Sequence, residues 1–542
     1  MIDFHANPES YKHWKLSFDG PVARLEMAVD PDHPFAEGYE LKLNSYDLSV
    51  DIELADAIRR IRFEHPEVNS VIVTSATDRV FCAGANIRML AGSSHPFKVN
   101  FCKYTNETRI SIEDASRNSG IKFLAACNGA TAGGGYELAI ACDEIALVND
   151  NSSTVSLPEV ALLAVLPGTG GLTRLVDKRK IRRDLADVFS TLAEGVRGKK
   201  AKKWNLIDET WPKSKFADMV AARAKEISDS LPTRGTQGMT WNRVEMEENG
   251  TGWSYSCVQV ELDREHRRAA LTLKGPEGPQ PKTAAEYHET GDQAWILRCF
   301  KELDDALLHL RFEEPEINVV TLQTRGDMDA ILEVERSMLA NQDDWLVKEI
   351  LLFVASVLRR YDLTAKSFFA LVDNHSAFAG VFFELALAGD RIYHIDDPDN
   401  PVEIAIGPLS DGHLPMSNGL SRLESRFLAD PDQAHRLAKE QPRLDGTEAE
   451  EQGLVTFLVE DLDWDDDVRI AIEERASLSP DALTGMEASL RFGGAETCDS
   501  KIFGRLSAWQ NWIFTRPNAT GEEGALPRYG QPEAPRFDWR RT

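Results

Sequence analysis

Read end to end, the chain repeats itself. "ELADAIRRIRFEHPEVN", starting at Glu53, returns as "ELDDALLHLRFEEPEIN" from Glu302, with ten of seventeen positions identical at an offset of 249. "YELAIACD" returns as "FELALAGD" at an offset of 247, and "GLTRL" as "GLSRL" at 248. "NLIDETW" finds a weaker partner in "GLVTFLV", again at 248. Chance does not hold an offset to within two residues over four blocks, and a unit of roughly 250 residues is domain-sized, too long for a solenoid repeat. Two tandem copies of one domain are therefore expected, over residues 1–255 and 256–542. The second closes in a Pro/Gly-rich tail (515–542) expected to hold little regular structure.

Within the first copy, Leu54, Ala57, Ile58 and Ile61 recur at helical spacing. "SVIVTSA" (70–76) and "EIALVND" (144–150) are short β-branched or apolar runs of the kind buried on both faces of a sheet. Helix, buried strand and glycine turn alternate, which predicts an α/β layered fold with crossover connections. The net charge of −27 excludes a nucleic-acid partner, since phosphates need clustered Lys and Arg. No apolar run reaches the length of a membrane span, and the first residues show no signal-peptide pattern. The seven cysteines are scattered with no CxxC pair, as expected for free thiols in a reducing cytoplasm. No His, Cys or carboxylate spacing suggests a metal site.

The stretch "NGATAGGGYELAIACD" (128–143) runs three glycines into an apolar helix that carries one carboxylate, Glu137. Glycines there let backbone N–H groups approach a ligand closely, and a helix start favours negative charge. Close helix–sheet packing explains the glycines equally well. "FCAGANIRML" (81–90) makes a second small-residue turn. Two N–H groups from such turns can form an oxyanion hole. A second carboxylate, Glu159, stands in the apolar run "VSLPEVALLAVLPGTGG". Paired carboxylates in apolar surroundings suit acid–base work, while a helix-opening role is the plainer alternative for Glu159.

These stretches, in this order and followed by "LPEVALLAVLPGTGGLTRL" and "LAEGVRGKKAKKWNLIDETWP", resemble the crotonase (enoyl-CoA hydratase/isomerase) superfamily over roughly residues 15–215. The resemblance implies a ββα-spiral fold that binds an acyl-CoA thioester. It implies Ala85 and Gly134 as oxyanion-hole donors, Glu137 and Glu159 as catalytic carboxylates, and substrate contacts from Ala83, Asn86, Ile87 and Gly133. Asn86 stands where the family usually has Asp. The segment that helps seat the CoA nucleotide is replaced by the longer "VDPDHPFAEGYELKLNSYDLS" (29–49). Arg88, Lys103 and Lys122 are candidates for the CoA phosphates.

The second copy departs further. "DAILEVERSML" (329–339) stands opposite "FCAGANIRML", and Val381 opposite Gly134. Glu384 survives, and Glu403 is the candidate replacement for Glu159. This copy is expected to be catalytically silent and to take over a subunit contact, in a homodimer. One active and one divergent crotonase domain in a single chain resembles the benzoyl-CoA-dihydrodiol lyase family. That resemblance implies ring opening of a dihydrodiol thioester with release of formate, with no cofactor beyond the substrate's own CoA and no metal. Cys102 lies where crotonases place a helix over the acyl pocket, either as a group in contact with the ring or as a buried structural thiol. A plain enoyl-CoA hydratase or isomerase, and a non-enzymatic CoA-ester-binding scaffold, are the alternatives.

Overall fold

The run "SVIVTS" is buried at every position, as a strand covered on both faces must be. It forms the middle of a sheet in the computed structural model, which describes residues 1–542. The chain divides into two compact units, Asp3–Trp241 and Asn242–Thr542, the second joined by Met1 and Ile2.

In chain order the first unit runs β1 (Trp14–Asp19), β2 (Val22–Met27), β3 (Ser45–Tyr46), α1 (Leu48–Phe63), β4 (Ser70–Ser75), β5 (Arg79–Cys82), β6 (Gly84–Ala85) and α2 (Ile87–Gly92). It continues through α3 (His95–Asn118), β7 (Lys122–Cys127), β8 (Gly129–Ala132), α4 (Gly134–Ala141), β9 (Glu144–Asn149), β10 (Val155–Ser156), α5 (Glu159–Leu163) and β11 (Glu209–Pro212). The main sheet has the order β1-β2-β4-β7-β9-β11. Only β1 and β2 pair antiparallel; every later pairing is parallel and needs a crossover. One face is closed by the helix Phe216–Asp229, whose Phe216, Val220, Ala224 and Ile227 pack on Ile72, Leu124, Ala146 and Val148. Two small satellites, β10-β8-β5 and β3-β6, hold the glycine-rich turns. The expected α/β architecture is present, and both predicted strands and the Leu54–Ile61 helix lie where the sequence places them.

The second unit carries an eight-stranded sheet. Val258–Asp263 and Arg268–Lys274 pair antiparallel, and the strands Val319–Arg325, Ser367–Val372, Arg391–Asp396 and Phe457–Glu460 then add in parallel. This is the same order of pairings as in the first unit. Two further strands, Glu247–Asn249 and Gly252–Ser254, extend its antiparallel edge. The units thus divide at Trp241, earlier than residue 255. A sequence cue existed: "NGTG" (249–252) is a tight hairpin signal. The tail also differs from expectation. It holds the short helices Pro517–Thr520 and Ala525–Arg528, and fully buried Arg541 donates to Glu487 at 2.6 Å. Anchors made by single polar side chains leave no periodic trace in a sequence. At the other end, Ile2 N–H donates to Glu313.

The helix Val381–Ala388 in the second unit starts as α4 does. Its N-cap Gly380 has φ +52 and ψ −124, against φ +55 and ψ −129 for Gly133. What lies over the helix start differs. Glu335, on the helix Met328–Ala340, buries its carboxyl there: a Cβ on Gly380 would stand 2.2 Å from its Oε1. Its Oε2 accepts from Leu409 N–H at 3.2 Å. The helix start is therefore filled by the protein itself. Glu403, the expected stand-in for Glu159, is instead half-exposed at the start of a strand and paired with Arg443. Glu384 is buried against Ser410 Oγ (2.6 Å) and Arg422.

Burial, with the charge of Glu384 adding to it, pushes the Glu335 carboxyl up from 4.5 to about 8. Between those values the native chain keeps a proton that the unfolded chain gives up, so stability falls as pH rises from about 4.5 to about 8 and levels off above. Glu335→Gln is expected to flatten that slope, read as urea midpoints at about pH 5 and about pH 9. An unchanged slope would show that Glu335 is not the group responsible.

Candidate active site

Glu137 projects from the first turn of α4 and is buried. A buried carboxylate must be given donors, and the loop Gly168–Gly171 supplies them. Oε1 accepts from Thr169 N–H at 2.9 Å and Gly171 N–H at 2.8 Å, and Oε2 accepts from the Thr169 hydroxyl. Three donors on one carboxyl fix its orientation.

Glu159 opens α5 and is also buried, but Oε2 has no hydrogen-bond partner. Desolvation, and then the charge of Glu137, raise it to about 7 against an opposing backbone hydrogen bond. Its Oε1 lies where a side chain on Gly133 would begin, 2.8 Å from an ideal Cβ there. Gly133 also needs its positive φ to turn the chain into α4.

The backbones at Ala85 and Gly134 come together at the same turn. Gly134 is the first residue of α4, so no earlier turn accepts its N–H. Asn86 N–H donates to Tyr46 O at 2.8 Å, so by strand alternation Ala85 N–H faces away from β3. The backbones touch: a Cβ on Gly84, next to Ala85, would stand 2.8 Å from Gly134 N. A Cβ on Gly134 itself would meet the Tyr46 hydroxyl at 2.0 Å. Packing therefore demands glycine at 134, while Gly133 is the glycine that faces the carboxyl of Glu159.

Ala83 and Ile87 are exposed beside this turn, and Ala83 O faces Gly133. Asn86 is not free to touch a ligand through its side chain. Its Oδ1 caps α2 at Met89 N–H, and its Nδ2 donates to Glu40 O and Ser45 Oγ, so it holds the turn rather than a substrate. Cys102 lies on α3, with Gly168 against its Sγ. Burial, then the charge of Glu137, pushes this thiol up to about 11, which favours its protonated form at neutral pH. Lys122 is held by Asp143 at 3.2 Å and by Ser116, while Arg88 is exposed. After Glu159 the chain exposes Val160, Leu162, Leu163, Val165 and Leu166, an apolar run next to it in sequence. Nowhere do three or more His, Cys, Asp or Glu side chains converge as metal ligands would, and no helix is long and apolar enough to cross a membrane.

Residues 40–251 match the enoyl-CoA hydratase/isomerase family. A benzoyl-CoA-dihydrodiol lyase of Aromatoleum evansii is 50% identical over 544 aligned residues, covering 100% of this chain and 98% of that one. The chain belongs to the benzoyl-CoA-dihydrodiol lyase family. A fatty acid oxidation complex subunit alpha from Idiomarina loihiensis is 30% identical over 197 residues, 36% of this chain and 27% of its own length. Among solved structures, an enoyl-CoA hydratase of Geobacillus kaustophilus is 29% identical, with 41% of this chain and 76% of that chain covered and a TM-score of 0.36. In this member of the dihydrodiol lyase family, sequence reasoning passed over Thr169, Gly171 and Tyr46. The "PGTGG" glycines beside Thr169 were the available signal, since such a turn turns its N–H groups outward.

The Glu137 charge raises Glu159, so removing it should let Glu159 ionise more easily. Carboxyl 13C NMR is expected to show Glu159 titrating near 7, and below that in Glu137→Gln. If the titration does not move, the two carboxyls are not electrostatically coupled.

Proposed function

We propose that the first unit opens the ring of 2,3-dihydro-2,3-dihydroxybenzoyl-CoA with one water, giving 3,4-dehydroadipyl-CoA semialdehyde and formate. The observation that carries this reading is the full-length 50% identity to the Aromatoleum evansii lyase. The site supplies the chemistry. The thioester oxygen accepts hydrogen bonds from Ala85 and Gly134 N–H. The departing carbon loses two bonds. The bond to its hydroxyl-bearing neighbour breaks as that neighbour becomes the aldehyde. Its electron pair passes into the ring diene, which takes up a proton and leaves the departing carbon as a formyl on the carbon next to the thioester. Water then adds to the formyl, formate leaves, and the electron pair of that last bond moves onto the carbon next to the thioester and the thioester oxygen, where the two donors hold the enolate until a proton returns. Glu137, fixed by three donors, takes a proton from water or a ring hydroxyl. Glu159 has one uncommitted oxygen and a pKa near neutrality, as a group that returns a proton needs. Ala83, Ile87 and Gly133 border the thioester, the apolar strip Val160–Leu166 receives the ring, and Cys102 is a neutral wall beside the Glu137 loop. No metal or added cofactor takes part.

The second unit is read as a divergent copy of the first, supported by the shared offset and the shared order of strand pairings. Its helix start is filled by Glu335 and lined by buried Val381, Phe382 and Phe383, which leaves no room for a thioester.

Glu137→Gln and Glu159→Gln are each expected to bind the substrate and to lose about a hundred- to ten-thousandfold in formate release. A near-wild-type rate in either removes that residue from the chemistry. Exhaustive chelation should leave the rate unchanged; loss restored by an added metal would refute the metal-free scheme. Preferential turnover of crotonyl-CoA would mark a hydratase instead.

Glu384→Gln is expected to keep turnover within about twofold per folded molecule, because no oxyanion donors stand beside Glu384. A large loss with the fold intact would reveal a second working site.

A further inference from the structure

The loop that clamps Glu137 is itself held in place, one peptide plane at a time. A trans peptide points its C=O and the following N–H in opposite directions, so fixing one end aims the other. The Gly168 carbonyl accepts from Asn106 Nδ2 at 3.0 Å, and the N–H across that plane is the Thr169 N–H bound to Glu137. The Thr169 carbonyl accepts from Arg174 Nη1 at 2.8 Å. The Gly170 carbonyl accepts from Arg174 N–H at 2.9 Å, and across that plane lies the Gly171 N–H bound to Glu137.

These anchors are tied to one face of α3. Asn106 Nδ2 also donates to Cys102 O at 2.9 Å, and Glu113 grips the Arg174 guanidinium with both oxygens at 2.8 and 2.9 Å. Lys178 adds a bond to Glu113 at 3.0 Å. Positions 102, 106 and 113 fall on one stripe of a helix. Both anchors close over Gly170: a Cβ there would stand 2.3 Å from Arg174 Nη1 and 3.5 Å from Asn106 Oδ1. Its φ of +87 is a second reason for glycine at this point.

We infer that Asn106 and Arg174 are positioning residues that set the direction of the Glu137 carboxyl by fixing the three peptide planes of the 168–171 loop. Neither touches the reacting atoms. The inference rests on the reading of Glu137 as a catalytic carboxylate. Misplacing such a group by about an ångström costs on the order of a hundredfold in rate while leaving binding contacts in place.

The test uses the full-length protein and the dihydrodiol thioester, with formate as the readout. Asn106 sits near the surface, so Asn106→Ala should leave the melting temperature nearly unchanged. Its kcat is expected to fall about tenfold to a hundredfold, with KM within about twofold. Arg174→Lys keeps a cation for Glu113 but loses the planar fork that reaches Thr169 O, and is expected to show the same split. In a Glu137→Gln background Asn106→Ala should cost nothing more, because the group it positions is gone. A further loss in that background, or a full kcat in both single variants, would overturn the inference. If Glu137→Gln itself kept the wild-type rate, the reading of the site would fall. An inactive Glu137→Gln beside fully active Asn106→Ala and Arg174→Lys would sink the positioning role alone.

Discussion

A carboxylate buried at the start of an apolar helix is tolerated only when donors reach it, and much of the first unit serves that requirement for Glu137. The parallel sheet places α4 against the satellite strands, and glycines let the helix start sit under Tyr46 and beside Gly84. The chain after α5 then returns with the loop 168–171, whose N–H groups have no helix or strand to bond and so turn to the carboxyl. Glu159 is left with the opposite condition. It is buried with one oxygen unpaired, and the neighbouring negative charge makes its proton harder to lose. Two chemically identical side chains acquire separate environments from the number of donors each receives.

Much of this was legible in the sequence, for identifiable reasons. Repeats at one offset, β-branched runs and helical spacing are collective signals, and they place the sheet strands and α1 well. The turns at Gly84–Ala85 and Gly133–Gly135 were readable because only small residues fit there. What the sequence hid depends on single contacts across long separations. Asn86 reads as a substrate contact alongside Ala83 and Ile87, yet its amide is consumed by Glu40, Ser45 and Met89. Thr169 lies thirty-two positions from the carboxyl it holds, and Arg541 fifty-four from Glu487. No periodicity announces such pairs. Cys102 was open between ring contact and packing because its exposure and the charge beside it cannot be read from a list of residues.

The second unit holds a helix start of the same backbone form with a side chain packed over it. The glycine conformation at its N-cap is kept to within a few degrees, since the turn from sheet to helix still requires it. Where the first unit has a small-residue turn the second has a helix, and one of its side chains, Glu335, fills the space over that helix start. The carboxyl there is best accommodated as the neutral acid. Glu403, chosen from the sequence by position alone, is on the outside with Arg443.

The contact between Ile2 and Glu313 gives the chain an order of assembly during synthesis. The first unit holds all the strands of its own sheet and can close once Pro212 and the helix after it have left the ribosome. The first two residues cannot settle then, because their partner is made about three hundred residues later. The second sheet must wait longer still, for the strand Phe457–Glu460 that completes its parallel edge. Parallel pairing across such separations is slow. A nascent chain would therefore spend many seconds as one finished unit trailing an open, apolar sheet edge, at synthesis rates of roughly 5–20 residues per second. Chaperone demand for this protein should fall on its second half.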